Sequence, residues 1–230
     1  MKLIRPSSPS RTALAATIAA ACLLPAADVP GGGEDIGTIV LFDGKGLDGW
    51  KKAGFYKAPE VKVEGGAIVL AAGDPMSGVT STRQDLPTTN YELTFEAKRT
   101  SGVDFFAAAT FPVGRSFATL VNGGWGGSVT GISSLNGSDA SENSTGRFIK
   151  YENDTWYRFR VRVTDRVIRC RVDDKEVIAV EYEGQQVGTR IEVRASQPLG
   201  FASWRTGGAV RAVRVRALAP DEVAAADKID

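Results

Sequence analysis

The chain has 230 residues, 43% of them apolar, and carries 28 basic against 27 acidic side chains with no histidine. A neutral balance excludes a global field that would recruit nucleic acid, and the apolar content excludes disorder over most of the length. Without histidine the usual imidazole base and the commonest transition-metal ligand are gone, so any chemistry falls to carboxylates, Lys, Arg, Tyr, backbone amides or an oxygen-bound cation.

At the N-terminus Lys2, Arg5 and Arg11 precede the apolar run 13–24, and Ala26-Ala27 offers a small-residue cleavage site. Residues 1–27 therefore read as a signal peptide, and the expected location is secreted or periplasmic. The run is too short to span a bilayer comfortably; Cys22, late in it, leaves lipoprotein anchoring as the alternative. Residues 28–36 are a spacer. After processing only Cys170 remains, on the apolar side of an alternating run, and it reads as a core thiol because no imidazole is present to activate it.

From residue 37 to 219 the periodicity is close to two almost everywhere. Strands are expected at 38–42, 61–64, 67–71, 79–83, 91–99, 104–111, 117–121, 128–133, 156–164, 167–172, 176–182, 189–193, 200–203 and 210–217. Glu64-Gly65-Gly66-Ala67 and Asp173-Asp174-Lys175 read as tight hairpin turns. In 157–163, Phe159, Val161 and Val163 face one way and Arg158, Arg160 and Arg162 the other, so that strand has one dry and one wet side. Arg169, Arg171, Arg214 and Arg216 continue the wet face on other strands, and a solvated face is the simpler account than a basic surface for an anionic polysaccharide. Many short strands separated by turns predict one all-β sandwich or jelly roll. Residues 220–230 form a polar, Ala-rich tail with room for a short helix.

LFDGKGLDGWK at 41–51, DFFAAATFPVG at 104–114, GGWGG at 123–127 with DASEN at 139–143, and NDTWYRFRVRV at 153–163 followed by IRCRVDDKEV together resemble the 3-keto-disaccharide hydrolase domain family, in a subgroup of planctomycete-type bacteria. The resemblance spans about residues 37–218. It implies a concanavalin-like jelly-roll sandwich of two antiparallel sheets and a protein acting on carbohydrate, with hydrolysis of 3-keto-glycosides as the activity. It carries over no catalytic residue, and such folds host enzymes and binders alike.

The residues themselves supply candidates. Four glycines around Trp125 permit the indole to be presented on a bend, as a flat platform for a sugar ring. Asn136, Ser138, Asp139, Ser141, Glu142 and Asn143 crowd oxygen donors suited to vicinal hydroxyls or to Ca²⁺, although Asn, Asp and Ser in loops also commonly satisfy their own backbone. Cleaving a 3-keto-glycoside needs a base for the acidified C2 proton, a donor to the leaving oxygen and a cation or donor for the enolate. Asp139 and Glu142 are the candidate acid/base residues and Arg83 the candidate enolate stabiliser. Asp104, Ser141 and Asn143 are candidate sugar contacts, with Trp204 a second platform or a closure of the core. Trp50 and Trp156 are expected to pack structurally. The alternatives to a hydrolase are a non-catalytic carbohydrate-binding module and a cell-surface structural domain.

Overall fold

The computed structural model describes residues 37–229; the expected signal peptide, Cys22 and the spacer lie outside the described residues. Fifteen strands form two antiparallel sheets. They are β1 (Ile39–Phe42), β2 (Trp50–Lys52), β3 (Lys62–Glu64), β4 (Ala67–Leu70), β5 (Met76–Ser81), β6 (Tyr91–Ser101), β7 (Ala108–Val113), β8 (Ser116–Gly124), β9 (Val129–Ser133), β10 (Arg147–Phe148), β11 (Tyr157–Val163), β12 (Val167–Val172), β13 (Lys175–Glu181), β14 (Gly200–Trp204) and β15 (Gly207–Ala217). Sheet A runs β13-β12-β11-β6-β15-β4-β3, with β1 also on β15; sheet B runs β10-β9-β8-β7-β14-β5-β2. The molecule is the jelly-roll sandwich that the alternation and the resemblance both predict.

The core lies between the inner faces. Leu93, Phe95 and Ala97 of β6 and Phe159, Val161 and Val163 of β11 face Ala118 and Leu120 of β8, Ile132 of β9 and Phe201 of β14. Phe95 stacks on Phe159 at 5.0 Å between ring centroids and meets the edge of Phe201 at 4.9 Å. Cys170 is fully buried among these residues, and burial pushes its thiol pKa up, so it is a core filler. Trp50 is buried with its indole N–H donating to the Leu41 carbonyl at 2.7 Å. Trp156 lies under the Arg211 guanidinium at 4.1 Å, a cation–π contact.

Both predicted hairpin turns form. Gly65 and Gly66 have φ of +58° and +74°, and Asp173 and Asp174 +47° and +66°, the paired left-handed conformation that matches strand twist. Three strand expectations need correction. Residues 104–107 leave the ladder before β7, because the Asp104 carboxylate accepts the backbone N–H of Phe105 at 2.8 Å and of Gly126 at 3.2 Å. Residues 189–193 hold no strand; a 3-10 helix occupies Ile191–Ser196. The strand expected at 79–83 is displaced to Met76–Ser81, so Arg83 falls in the following turn.

The outer face of sheet A is charged and carries the C-terminal helix α1 (Pro220–Ala226). Glu222 of α1 accepts from Arg216 Nη1 and Nη2, both at 2.7 Å, and from Arg162 at 3.3 Å. The Arg216 guanidinium holds the Glu222 carboxyl at a pKa of about 2. In the unfolded chain that carboxyl titrates near ~4.3, so between these values the unfolded state binds the extra proton. The contribution is present in full above about pH 4.5 and is lost as pH falls toward 2. Thermal melts across that window are expected to show a steeper acid loss for the wild type than for Glu222→Gln, whose curve should be flatter there.

Candidate functional site

Period-two alternation sends Leu120 and Phe201 into the core and their neighbours to the opposite face of sheet B. Thr119 and Val121 of β8, Ser133 of β9 and Trp204 of β14 thereby line a cavity of about 260 Å³ on that outer face. Three segments wall it: the 102–107 connection with Asp104 and Phe105, the β8–β9 turn with Trp125, and the stretch Arg190, Glu192 and Val193. Met76, Val193 and Ala202, with Phe55, Phe105 and Trp204 against them, form an apolar cluster apart from the main core, and Val193, Phe105 and Trp204 of it face the cavity.

The turn that presents Trp125 depends on its glycines. Trp125, Gly126 and Gly127 all have positive φ, at +49°, +85° and +113°, and a Cβ on Gly127 would lie 2.5 Å from the Val103 carbonyl oxygen. Only glycine fits such an approach. Trp125 is left 42% exposed, with one face available to a ligand. Phe105 and Trp204 lie 6.5 Å apart at 43°, and the Trp204 backbone N–H donates to the Phe105 carbonyl at 3.1 Å. Asp104 is the centre of this arrangement: through its bonds to Phe105 and Gly126 one carboxylate fixes both aromatic walls.

The opposite wall is an ion pair. Arg190 donates to Glu192 through Nη2 at 2.9 Å and Nε at 3.2 Å, a bidentate fork, and its Nη1 donates to Asp139. Hydrogen bonding to Arg190 lowers the Glu192 pKa, and the bond to Glu192 raises that of Arg190, so both stay charged. Ser133 also lines the cavity, and its Oγ is buried with no hydrogen-bond partner among the described residues.

Of the residues singled out in the sequence, Trp125, Asp104 and Trp204 come together in the cavity. Asp139 reaches it only through Arg190, its other carboxylate oxygen accepting from Ser141 N at 2.9 Å and Oγ at 2.7 Å. Glu142 is exposed and lines no part of the cavity. Asn143 is spent on the loop, donating to the Ile132 and Ser138 carbonyls and accepting from Thr145. Arg83 forms a bidentate pair with Asp85 at 2.9 and 2.6 Å, away from the cavity. The structure therefore does not bring Asp139 and Glu142 together in the cavity: Asp139 is engaged by Ser141 and Arg190, and Glu142 stands exposed outside it. Among the described residues no group of three or more carboxylate or thiol side chains gathers that could hold a metal ion. Arg190 and Glu192 were not singled out; they pair because Arg190 stands at the N-cap of the 3-10 helix Ile191–Ser196 and Glu192 lies in its first turn.

A family model described as a 3-keto-alpha-glucoside-1,2-lyase-like domain matches residues 37–216. No curated protein matches the sequence. Among solved structures, Crh5 transglycosylase in complex with NAG is 14% identical with a TM-score of 0.56, covering 81% of this chain and 86% of its own. A chain from members of the human gut microbiota that express endo-acting O-glycanases is 17% identical with a TM-score of 0.54, over 79% of this chain and 100% of its own. Domain 4 of AbnA, an extracellular arabinanase from Geobacillus stearothermophilus, in complex with arabinotriose, is 16% identical with a TM-score of 0.52, over 84% and 97%. At such identities the likeness fixes the fold alone.

Proposed function

Since the chain belongs to the 3-keto-alpha-glucoside-1,2-lyase-like domain family, we propose that it binds a 3-keto-glucoside in the cavity between Trp125 and Trp204 and cleaves the glycosidic bond by elimination across C1 and C2. The observation that carries this reading is the convergence, in one cavity, of two tryptophans, a fixed carboxylate at Asp104 and a guanidinium at Arg190. Each answers a requirement of the reaction.

The C3 ketone acidifies the C2 proton. Asp104 takes that proton as general base, and the electron pair left at C2 forms the enolate. Arg190, in place of Arg83, faces the negative oxygen; its charge is permanent, and in a partly dry cavity it stabilises the enolate more than water would. Collapse of the enolate expels the glycosidic oxygen from C1, which takes a proton from water. Addition of water to the enone completes net hydrolysis. Trp125 and Trp204 hold the apolar faces of the sugar.

Asp104 and Glu192 also have structural work, one holding the Trp125 turn and the other Arg190, which favours a second reading as a carbohydrate-binding module. A panel of 3-keto-glucosides and their unoxidised parents separates the two. Aglycone release from the keto forms alone is expected for the elimination, and Trp125→Ala should weaken binding by about 10- to 100-fold, the worth of a stacked aromatic surface. Binding without release from either form would leave the module, and absence of both would overturn the site itself.

A further inference from the structure

On the outer face of sheet A, away from the sugar cavity, the charged residues do not cancel evenly. A cleft of about 350 Å³ opens between the strands β11 and β12 and the helix α1, lined by Arg160, Arg162, Arg169, Arg171, Glu176 and Lys228. Two of its arginines are committed. Arg162 donates to Glu92 at 2.6 Å and to Glu222; Arg169 donates to Glu176 at 2.7 Å and to the Ala226 carbonyl at 2.7 Å, which pins the end of α1.

Arg160 and Arg171 are different. They are register partners across β11 and β12, so their side chains rise side by side from the same face. Neither guanidinium donates a hydrogen bond to any described residue; each makes only long ion pairs, Arg160 with Glu92 at 3.6 Å and Asp174 at 3.9 Å, and Arg171 with Glu176 at 3.9 Å. Two adjacent like charges repel, and each guanidinium carries five N–H donors. A pair of neighbouring forks whose N–H donors make no hydrogen bond, at the wall of a cleft, is complementary to an oxyanion, which would bridge the donors in place of the long ion pairs and relieve the repulsion.

We propose that this cleft is a second binding site, taking a sulfate or carboxylate group carried by an acidic glycan. The surroundings select that class. The interleaved acids Glu92, Asp174, Glu176 and Glu222 cancel the wide cationic field that nucleic acid or an anionic bilayer requires, leaving a local donor set for one compact anionic group. The cleft has far more room than a bare tetrahedral anion fills, so a sugar ring can enter with its charged substituent. The site is independent of the Trp125 cavity and of the reaction assigned to it.

Calorimetric titration of the full chain with a sulfated oligosaccharide, an oligogalacturonate, their neutral parents and inorganic sulfate tests the proposal. Binding of the sulfated or the uronate oligosaccharide is expected, with the arm that binds naming the source of the anion. In the double variant Arg160→Gln, Arg171→Gln that affinity should fall at least about tenfold, the worth of one charge-assisted hydrogen bond. Arg160→Lys with Arg171→Lys keeps the charge and loses the fork, and should also weaken binding. Melting temperature and binding of neutral ligand at the Trp125 cavity report that the variants remain folded. The proposal is overturned if neither acidic oligosaccharide binds at low salt, if the Gln and Lys variants bind as the wild type does, or if inorganic sulfate or duplex DNA binds as tightly as the acidic glycan.

Discussion

Asp104→Asn is expected to lower turnover of a 3-keto-glucoside by about 10²- to 10⁴-fold while leaving its affinity within a few fold, the span that a positioned general base supplies. The substitution is chosen for what it preserves. Asparagine keeps the size of the side chain and one oxygen acceptor, for the Phe105 N–H that bonds Oδ1, while its NH2 group takes the place of the Oδ2 that accepts from Gly126 at 3.2 Å. The basicity is removed together with that weaker bond to the Trp125 turn, so Trp125 fluorescence of the variant is the control that the indole keeps its place. Equal turnover in the variant would mean that Asp104 serves only the turn that carries Trp125, and the base would have to be sought at Glu192. That carboxylate is held below its usual pKa by its hydrogen bonds to Arg190.

The largest stability effect is expected from Phe201→Ala. Phe201 is fully buried on β14, its ring 4.9 Å from Phe95 of the opposite sheet and 5.8 Å from Trp50. Removing it leaves a cavity bounded by both sheets, at a cost of about 3–5 kcal/mol, a large part of the ~5–15 kcal/mol available to a domain. Urea unfolding should show a reduced midpoint with little change in slope. The consequence reaches the site, because Ala202 and Trp204 follow on the same strand and point the other way; loss of the inward anchor should loosen Trp204 and weaken sugar binding in proportion. A shift below about 1 kcal/mol would mean that the two sheets are held chiefly by other contacts.

These two residues illustrate how differently fold and site were legible. Phe201, like Phe159, Val161 and Val163, belongs to an alternation that any strand imposes, and β11 and β12 lie close to where periodicity set them. The glycine pair at 65–66 and the aspartate pair at 173–174 announce their turns because few other residues tolerate positive φ there. Trp125 was legible for the same reason, since glycines on both sides of an indole have a local cause. The loop 136–143 misled because its composition suits ligand binding and self-satisfaction equally, and Asn143 and Ser141 turn out to bond within it.

Arg190 and Glu192 stayed hidden behind a strand expectation. The segment alternates as a strand does, but it closes into a 3-10 helix at the edge of the cavity, and nothing local says that it meets Asp139 across 51 positions of sequence. The sequence alone determined the all-β class, the wet and dry faces, the turn positions and the exposed indole, because each follows from the two-residue period of the pleat or from the backbone freedom of one or two residues. The tertiary structure decided which carboxylates share a cavity, which arginines hydrogen-bond to acids and which, at Arg160 and Arg171, make only long ion pairs. Such pairings depend on the register between strands distant in sequence, and register is settled by how the whole core packs.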